Sequence, residues 1–357
     1  MEKVILRFKF EALPGRVIFG AGSLARLPEE IARLGATRAM VLSTPEQCEQ
    51  AADIARRLGK LAAGIFNRAV MHVPIETAQE ACNEAKRIGA DCCVTVGGGS
   101  TTGLGKAIAL VSDLPIVAVP TTYAGSEMTP IWGLTQDGIK KTGRDIRVLP
   151  KTVMYDPELT LSMPKSLSGT SGINAIAHCV EALYAEDANP IISLMAEEGI
   201  RVLARSLPVV VKEPRNLESR SHALYGAWLA GASLGAVGMA LHHKLCHTLG
   251  GAFNLPHAQT HTAVLPHAVA YNAEAAGDAI ERVARALGAP KASTGLFDLG
   301  VSVGAKMALR EIGSRAADLD RVADLAIENP YYNPRPITRA AIRSLLDDAF
   351  EGRRPRT

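Results

Sequence analysis

The chain has 357 residues, with 39 Lys and Arg against 36 Asp and Glu, leaving a formal net charge of +3. At roughly 150 residues per domain this length predicts two domains, and 47% apolar with 21% charged residues is a globular composition that excludes a disordered chain. So small a charge excess excludes the electrostatic footprint of a nucleic-acid binder.

The first stretch, MEKVILRFKFEALPG, alternates charged and apolar residues and lacks a signal-peptide core, which argues against secretion. A strand at Val4–Phe10 is expected within it, with an open edge for a partner subunit to cover. Short β-rich runs follow at Arg16–Phe19, Arg38–Ser43, Cys92–Val96, Ile116–Val119 and Thr152–Tyr155. Helical patterns lie between them at Glu46–Leu58 and Ile75–Ile88. The strands are nearly all apolar, as in a parallel sheet covered by helices on both faces. Cys48, Cys82, Cys92, Cys93, Cys179 and Cys246 contain no CxxC and read as reduced thiols of a cytoplasmic protein.

The run Cys92–Val96 leads into Gly97, Gly98, Gly99, Ser100, Thr101 and Thr102, followed by a helical pattern. Glycines let a backbone approach a ligand, and Ser100 or Thr101 is expected to cap the next helix. Amides at a positive helix end suit a pyrophosphate. The spacing is neither GxGxxG nor a Walker loop, and a bare tight turn is the competing reading. A second polar turn, Val119–Glu127, adds Thr121, Thr122 and Ser126 after the next strand. Two such turns at the carboxyl ends of adjacent strands sit where open α/β sheets bind nucleotides. The second strand runs into Ser43 and Thr44 without the acidic residue that selects NAD, so a 2′-phosphate is expected to be tolerated.

After Asp156 the strand-like runs vanish and Ala/Leu/Ile segments at helical spacing take over. Residues 1–156 therefore read as a dinucleotide-binding α/β domain and 157–357 as an all-helical catalytic domain. The uncharged stretch Tyr225–Leu241 is too short for a membrane span and reads as one buried helix. The terminal EGRRPRT reads as a frayed, solvated tail.

Eight of the nine histidines follow residue 170. Asn174 and His178 are four apart on a predicted helix, as are His243 and His247, and His257, His261 and His267 come next. A lone histidine on an apolar helix is usually a satisfied core residue; a cluster in two segments is poorly explained that way.

Asn-x3-His, then His-x3-His-x-Leu-Gly-Gly and Pro-His, with the Gly-Gly-Gly-Ser and Thr-Thr-x-x-Gly-Ser-Glu turns, resembles the iron-containing alcohol dehydrogenase family across the whole chain. That resemblance implies a dehydroquinate-synthase-like fold, a nicotinamide cofactor and a homodimer. It also implies metal-ligand positions at Asn174, His178, His243 and His257, with His247 as a nearby proton-handling histidine. Asn174 stands where the family has aspartate, so the site lacks its anionic ligand. The run from His242 to Gly251 also departs from the usual pattern and adds His242 and Lys244. These departures resemble the maleylacetate reductase branch of the family. The branch implies metal-free reduction of the carbon–carbon double bond of maleylacetate, a small dicarboxylate, to 3-oxoadipate by NADH or NADPH in aromatic-compound catabolism.

On that reading His243 and His247 are the hydrogen-bond donor and proton donor, and His178 and His257 shape the pocket. His242, Lys244 and Asn174 bind substrate. Gly97–Ser100, Thr121, Thr122, Ser126, Ser43 and Thr44 bind cofactor, no metal is held, and neither nucleic acid nor membrane is a partner. A metal-dependent alcohol or polyol dehydrogenase on the same scaffold is the alternative.

Overall fold

A computed structural model describes residues 8–13, 15–136 and 139–356. Its first half holds strands β1 (Arg16–Phe19), β2 (Ala39–Leu42), β3 (Ala62–Phe66), β4 (Cys92–Gly97), β5 (Ile116–Pro120) and, after a hairpin, β8 (Thr152–Tyr155). They form one sheet in the order β1-β8-β5-β4-β2-β3, parallel throughout. Helices α1 (Leu27–Arg33), α2 (Cys48–Leu58), α3 (Ile75–Arg87) and α4 (Gly99–Ser112) make the crossovers. Val41, Val94 and Val117 pack on one face with Leu27 and Ile54, while Met40, Cys93 and Ile108 pack on the other. Burial on both faces explains why these strands lack polar alternation.

Two features of this half were not in the sequence expectation, and one expected strand is not found among the described residues. β3 is a sixth strand, in the half-buried run AAGIF. The hairpin β6 (Ile131–Gln136) and β7 (Ile139–Arg144) pairs Trp132 with Gly143 across two antiparallel strands. Of the strand expected at Val4–Phe10, residues 4–7 lie outside the described residues, and 8–10 belong to no strand.

From Lys165 the chain is helical: α5 (Lys165–Leu183), α6 (Pro190–Lys212), α7 (Leu217–Ala236), α8 (Leu241–Phe253), α9 (His257–Asn272), α10 (Gly277–Leu287), α11 (Ala292–Ser302), α12 (Leu319–Ile327) and α13 (Arg339–Glu351). α5 is buried on every side from Ser168 onward, which its near-uniform apolarity dictates. The stretch Tyr225–Leu241 is not one helix. It spans the end of α7 and the start of α8, which meet at 96°, and no single described helix is long and apolar enough to cross a membrane.

The C-terminal tail is docked rather than frayed. Gly352 ends α13 in the left-handed region, Arg353 bonds Asp348 at 2.8 Å, and Arg354 grips both carboxylate oxygens of Asp298 at 2.8 and 2.7 Å.

Candidate active site

The two polar turns lie side by side, because β4 and β5 are sheet neighbours and the Thr121 amide donates to the Gly97 carbonyl. Gly97 is in the left-handed region at φ +150°, and a Cβ there would meet Thr101 Oγ1 at 2.5 Å and Gln47 Oε1 at 2.7 Å. Only glycine fits. α4 starts at Gly99 and Gly98 is its N-cap, with no side-chain capping bond. Ser100 and Thr101 therefore stand inside the first turn instead of capping it. This leaves the first amides of α4 free of side-chain caps, the arrangement that suits an anion.

Gln47 Nε2 donates to Thr121 Oγ1 at 2.6 Å, tying the turn after β2 to the turn after β5. Ser43 is buried and its Oγ has no partner, as is Thr101 Oγ1. Thr44 precedes a short 3-10 turn that carries Glu46, an acidic residue slightly beyond the strand end. A backbone hydrogen bond, and after it the Thr44 side chain, hold the Glu46 carboxyl below its usual range.

Lys106, about two turns into α4, is fully buried. Its Nζ donates to Ser126 O (2.7 Å), Thr129 O (2.8 Å), Thr129 Oγ1 (3.0 Å) and Ile131 O (2.7 Å). Burial pushes its pKa down to about 7, against the pull of nearby Glu127. The lysine thus staples the second turn and its Ser126 to the helix of the first.

Gly125 joins this edge to the helical half. At φ +78°, a Cβ on it would stand 3.0 Å from Gly231 Cα and 3.3 Å from His178 Nδ1. The turn predicted to meet a nucleotide is therefore in contact with α5 and α7.

α5 presents Asn174, His178 and Glu181 at i, i+4 and i+7 on one face. α8 brings His242, His243, Lys244 and His247, and α9 brings His257 and His261. The His178 and His243 rings stack at 5.1 Å, and His243 lies 4.9 Å from His261 and 5.9 Å from His247. His257 and His261 are 4.4 Å apart.

Depth sorts the cluster. His247 is exposed and His257 half-buried, while His178 and His243 are each 3% exposed. His242 and His261 are fully covered, with His242 Nε2 and His261 Nδ1 2.9 Å apart. Burial, reinforced by the neighbouring histidines, pushes His178, His242 and His261 well below the usual imidazole range. These three are neutral. The ring of His242, expected to bind substrate, packs against His261 and Cys246 next to His243.

Glu181, passed over in the sequence, organises the centre. Its carboxylate accepts from the amides of Ala240 (2.8 Å), His242 (2.6 Å) and His243 (3.4 Å), and lies 2.6 Å from His243 Nδ1. It therefore caps α8, whose N-cap residue Ala240 has no side chain able to do so. It also fixes the His243 ring so that Nε2 is the nitrogen left without a partner, as are Asn174 Oδ1 and His178 Nδ1. The available signal was a lone carboxylate in an apolar helix, one turn after His178.

Lys244 leaves α8 on another face from His243. Its Nζ donates to Glu328 O at 3.0 Å and lies 5.9 Å from the Tyr331 ring. Tyr331, also missed in the sequence, places its hydroxyl 3.2 Å from His247 Nδ1. Lys244, His247 and Tyr331 thus edge the open side of the cluster.

Residues 14–157 match the family model for iron-containing alcohol dehydrogenase, and residues 168–350 match that for the C-terminal part of the Fe-containing alcohol dehydrogenase family. A maleylacetate reductase of Burkholderia cepacia is 60% identical over 348 residues, covering 98% of this chain and 99% of that protein. The crystal structure of maleylacetate reductase from Agrobacterium tumefaciens superposes with a TM-score of 0.95 at 54% identity, covering 98% of this chain and 100% of that one. That of maleylacetate reductase from a Rhizobium species gives a TM-score of 0.94 at 53% identity, with coverage of 98% and 100%. The α/β sheet half, the helical half and the histidine cluster between them are thus a dehydroquinate-synthase-like fold, and the chain belongs to the iron-containing alcohol dehydrogenase family.

Proposed function

We propose that the chain reduces the carbon–carbon double bond of maleylacetate to give 3-oxoadipate, using NADH or NADPH and no metal. The observation that carries this reading is the Asn174, His178, His243 face, with a buried unpartnered atom on each residue and Glu181 behind His243. The similarity to reductases of that name supplies the substrate.

The donor set is poorer for a divalent ion than the one the family resemblance implies, because the Asn174 amide is neutral where that set has a carboxylate. The imidazoles by themselves suit zinc or iron, so the metal-free reading rests on the reaction rather than on ligand count. Among the described residues, the histidine nitrogens gathered within 4.8 Å of one another belong to His242, His243 and His261. Two of those rings already bond each other.

The turns after β4 and β5 suit a dinucleotide, since α4 begins at Gly99 with no side-chain capping bond and its first amides are placed for a pyrophosphate. When bound, the dihydronicotinamide supplies a hydride to the alkene carbon. Negative charge then spreads onto the keto oxygen as an enolate, which is less basic than an alkoxide. His243 carries its Nδ1 proton toward Glu181, and when Nε2 is also protonated the imidazolium is paired with that carboxylate. It then donates to the enolate oxygen, a contribution of roughly 3 kcal/mol by analogy with oxyanion-hole donors. His247, exposed at the edge, delivers a proton to the neighbouring carbon. His178 and His257 shape the pocket, and Lys244 attracts a substrate carboxylate at its rim. The reading includes a cytoplasmic homodimer, supported by six free cysteines and by the edge position of β1 in the sheet.

The direct test is cofactor oxidation with maleylacetate, run with NADH and with NADPH. Both are expected to serve, and a preference for NADH above ~1000-fold in kcat/KM, about 4 kcal/mol, would refute the tolerance of a 2′-phosphate. Failure of maleylacetate beside turnover of simple alcohols would return the chain to the ordinary alcohol dehydrogenases.

A Cβ on Gly98 would stand 2.8 Å from Thr122 Oγ1 and 3.1 Å from Thr122 Cγ2. Gly98→Val is therefore expected to weaken NADPH binding by at least about 100-fold, while the far-ultraviolet dichroism of the whole chain keeps its helical signal. Calorimetric titration with NADPH measures this, and retained affinity would show the turn to be only a turn.

A further inference from the structure

The C-terminal half of α9 and the length of α13 flank an open cleft of about 820 Å³, and the chain's last residues complete its walls. Ala270, Ala341, Leu345 and Pro355 give it an apolar lining. His267 faces it from α9, about 15 Å along the helix from His257, so the cleft is separate from the histidine cluster.

Among the described residues that line it, four are arginines and one, Asp348, carries a carboxylate. Arg354 is neutralised from outside the cleft, since both oxygens of Asp298 accept from it at 2.8 and 2.7 Å. That clamp, with Lys291 Nζ on the Arg356 carbonyl at 3.2 Å, fixes the tail in place. Arg353 gives Nη1 to Asp348 at 2.8 Å. Arg335 gives Nη1 to the Tyr271 carbonyl at 3.1 Å and lies 4.2 Å over the Tyr271 ring. A guanidinium has five N–H donors in a planar fork, so Arg335 and Arg353 keep donors to offer, and Arg356 adds a third cation. One carboxylate does not balance these three, and the surplus charge beside apolar surface suits an anion.

His267 supplies a second, independent sign. It is 5% exposed, and its buried Nε2 has no partner. Burial pushes its pKa down to about 4, against the pull of Asp348, so the ring is neutral. A buried ring nitrogen left without a partner is uncommon in a packed protein. From α13, Ser344 brings a hydroxyl to the same cleft.

We propose that this cleft is a second binding site, distinct from the reduction site, for a small organic carboxylate with a ring-sized apolar body. Arg353 and Arg356 hold the carboxylate, whose two oxygens match a guanidinium fork. The body lies on Ala270 and Leu345, and His267 and Ser344 meet a further polar substituent. The volume lies within the range of about 300 to 1,000 Å³ usual for small-molecule sites, and a bare inorganic anion fills only the charged part. The site does not depend on which compound the enzyme reduces.

The test is calorimetric titration of the full chain with sodium benzoate at low ionic strength, with inorganic phosphate as the anion that lacks an apolar body. Benzoate is expected to bind saturably with a Kd of about 1 mM or tighter, and phosphate at least about tenfold more weakly. Arg356→Glu and Arg353→Gln lie on the exposed tail and are each expected to weaken benzoate about tenfold or more. Arg57→Gln removes a positive charge from exposed α2 surface and is expected to leave benzoate binding unchanged. No saturable heat below about 10 mM benzoate overturns the site. Benzoate affinity that survives in both tail variants places the ligand elsewhere and overturns it as well. Phosphate binding as tight as that of benzoate overturns the class of ligand.

Discussion

Glu181→Gln is expected to lower kcat by about 100- to 1000-fold while NADPH affinity stays near that of the parent. The carboxylate accepts from three backbone amides and faces His243 Nδ1 at 2.6 Å, in a position with no solvent exposure. Glutamine keeps the volume but offers one carbonyl oxygen and two N–H donors to a ring of donors. The His243 ring loses the carboxylate that orients it through Nδ1, and the first turn of α8 loses its cap. Leaving buried donors facing each other also costs stability, about 3 kcal/mol by the measure of other broken buried pairs. Urea unfolding beside steady-state kinetics separates the two effects. A kcat within about threefold of the parent would show that Glu181 only caps α8 and that His243 acts without it.

What the sequence made legible divides along physical lines. The strands β1, β2, β4, β5 and β8 and the helices α2 and α3 were readable because burial on both faces makes an apolar run and burial on one face makes a helical stripe. β3 was not, since AAGIF is short, half-exposed and rich in weak strand formers. The hairpin Ile131–Arg144 mixes Gly133, Lys140, Lys141 and Gly143 into its strands and has no apolar face long enough to show a period of two. The tail was misread because its ion pairs reach Asp348 of α13 and Asp298 of α11, contacts that charge pattern alone cannot forecast.

The site shows the same division. Asn174, His178, His243 and His247 were marked by i, i+4 spacing within single helices, a local property. Glu181 and Tyr331 act across sequence separations of 62 and 84 residues, so only the packed fold brings them to their histidines. Lys106 belongs with them. It reads as an ordinary helix lysine, yet its four bonds set the turn that carries Gly125 against His178. His242 was marked for the substrate as one of two potential cations added by the run after Leu241. Consecutive helix residues point about 100° apart, and that rotation turns it into the core against His261.

The metal question yields the second large effect. Prolonged chelation is expected to leave the parent fully active, because the proposed reaction develops an enolate that His243 and its neighbours stabilise directly. Asn174→Asp is expected to change that state. Asn174 is 3% exposed, its Oδ1 has no partner, and His178 lies one turn away on the same face. An aspartate there is a buried carboxylate with no donor to satisfy it, a condition a carboxyl escapes by taking up a proton or by binding a cation. Beside the unpartnered Nδ1 of His178 and Nε2 of His243, the second route is open to zinc or iron. The variant is therefore expected to purify with about one metal per chain, to gain thermal stability when zinc is added, and to lose about tenfold or more of its reductase activity. The activity falls because a bound ion takes the Nε2 lone pair of His243 that must carry the proton toward the enolate oxygen. Metal content by mass spectrometry and melting curves with and without zinc read the binding, independently of turnover. If chelation silences the parent and iron or zinc restores it, Asn174 is itself a ligand, the enolate is held by the metal, and His243 belongs to the metal rather than to the substrate.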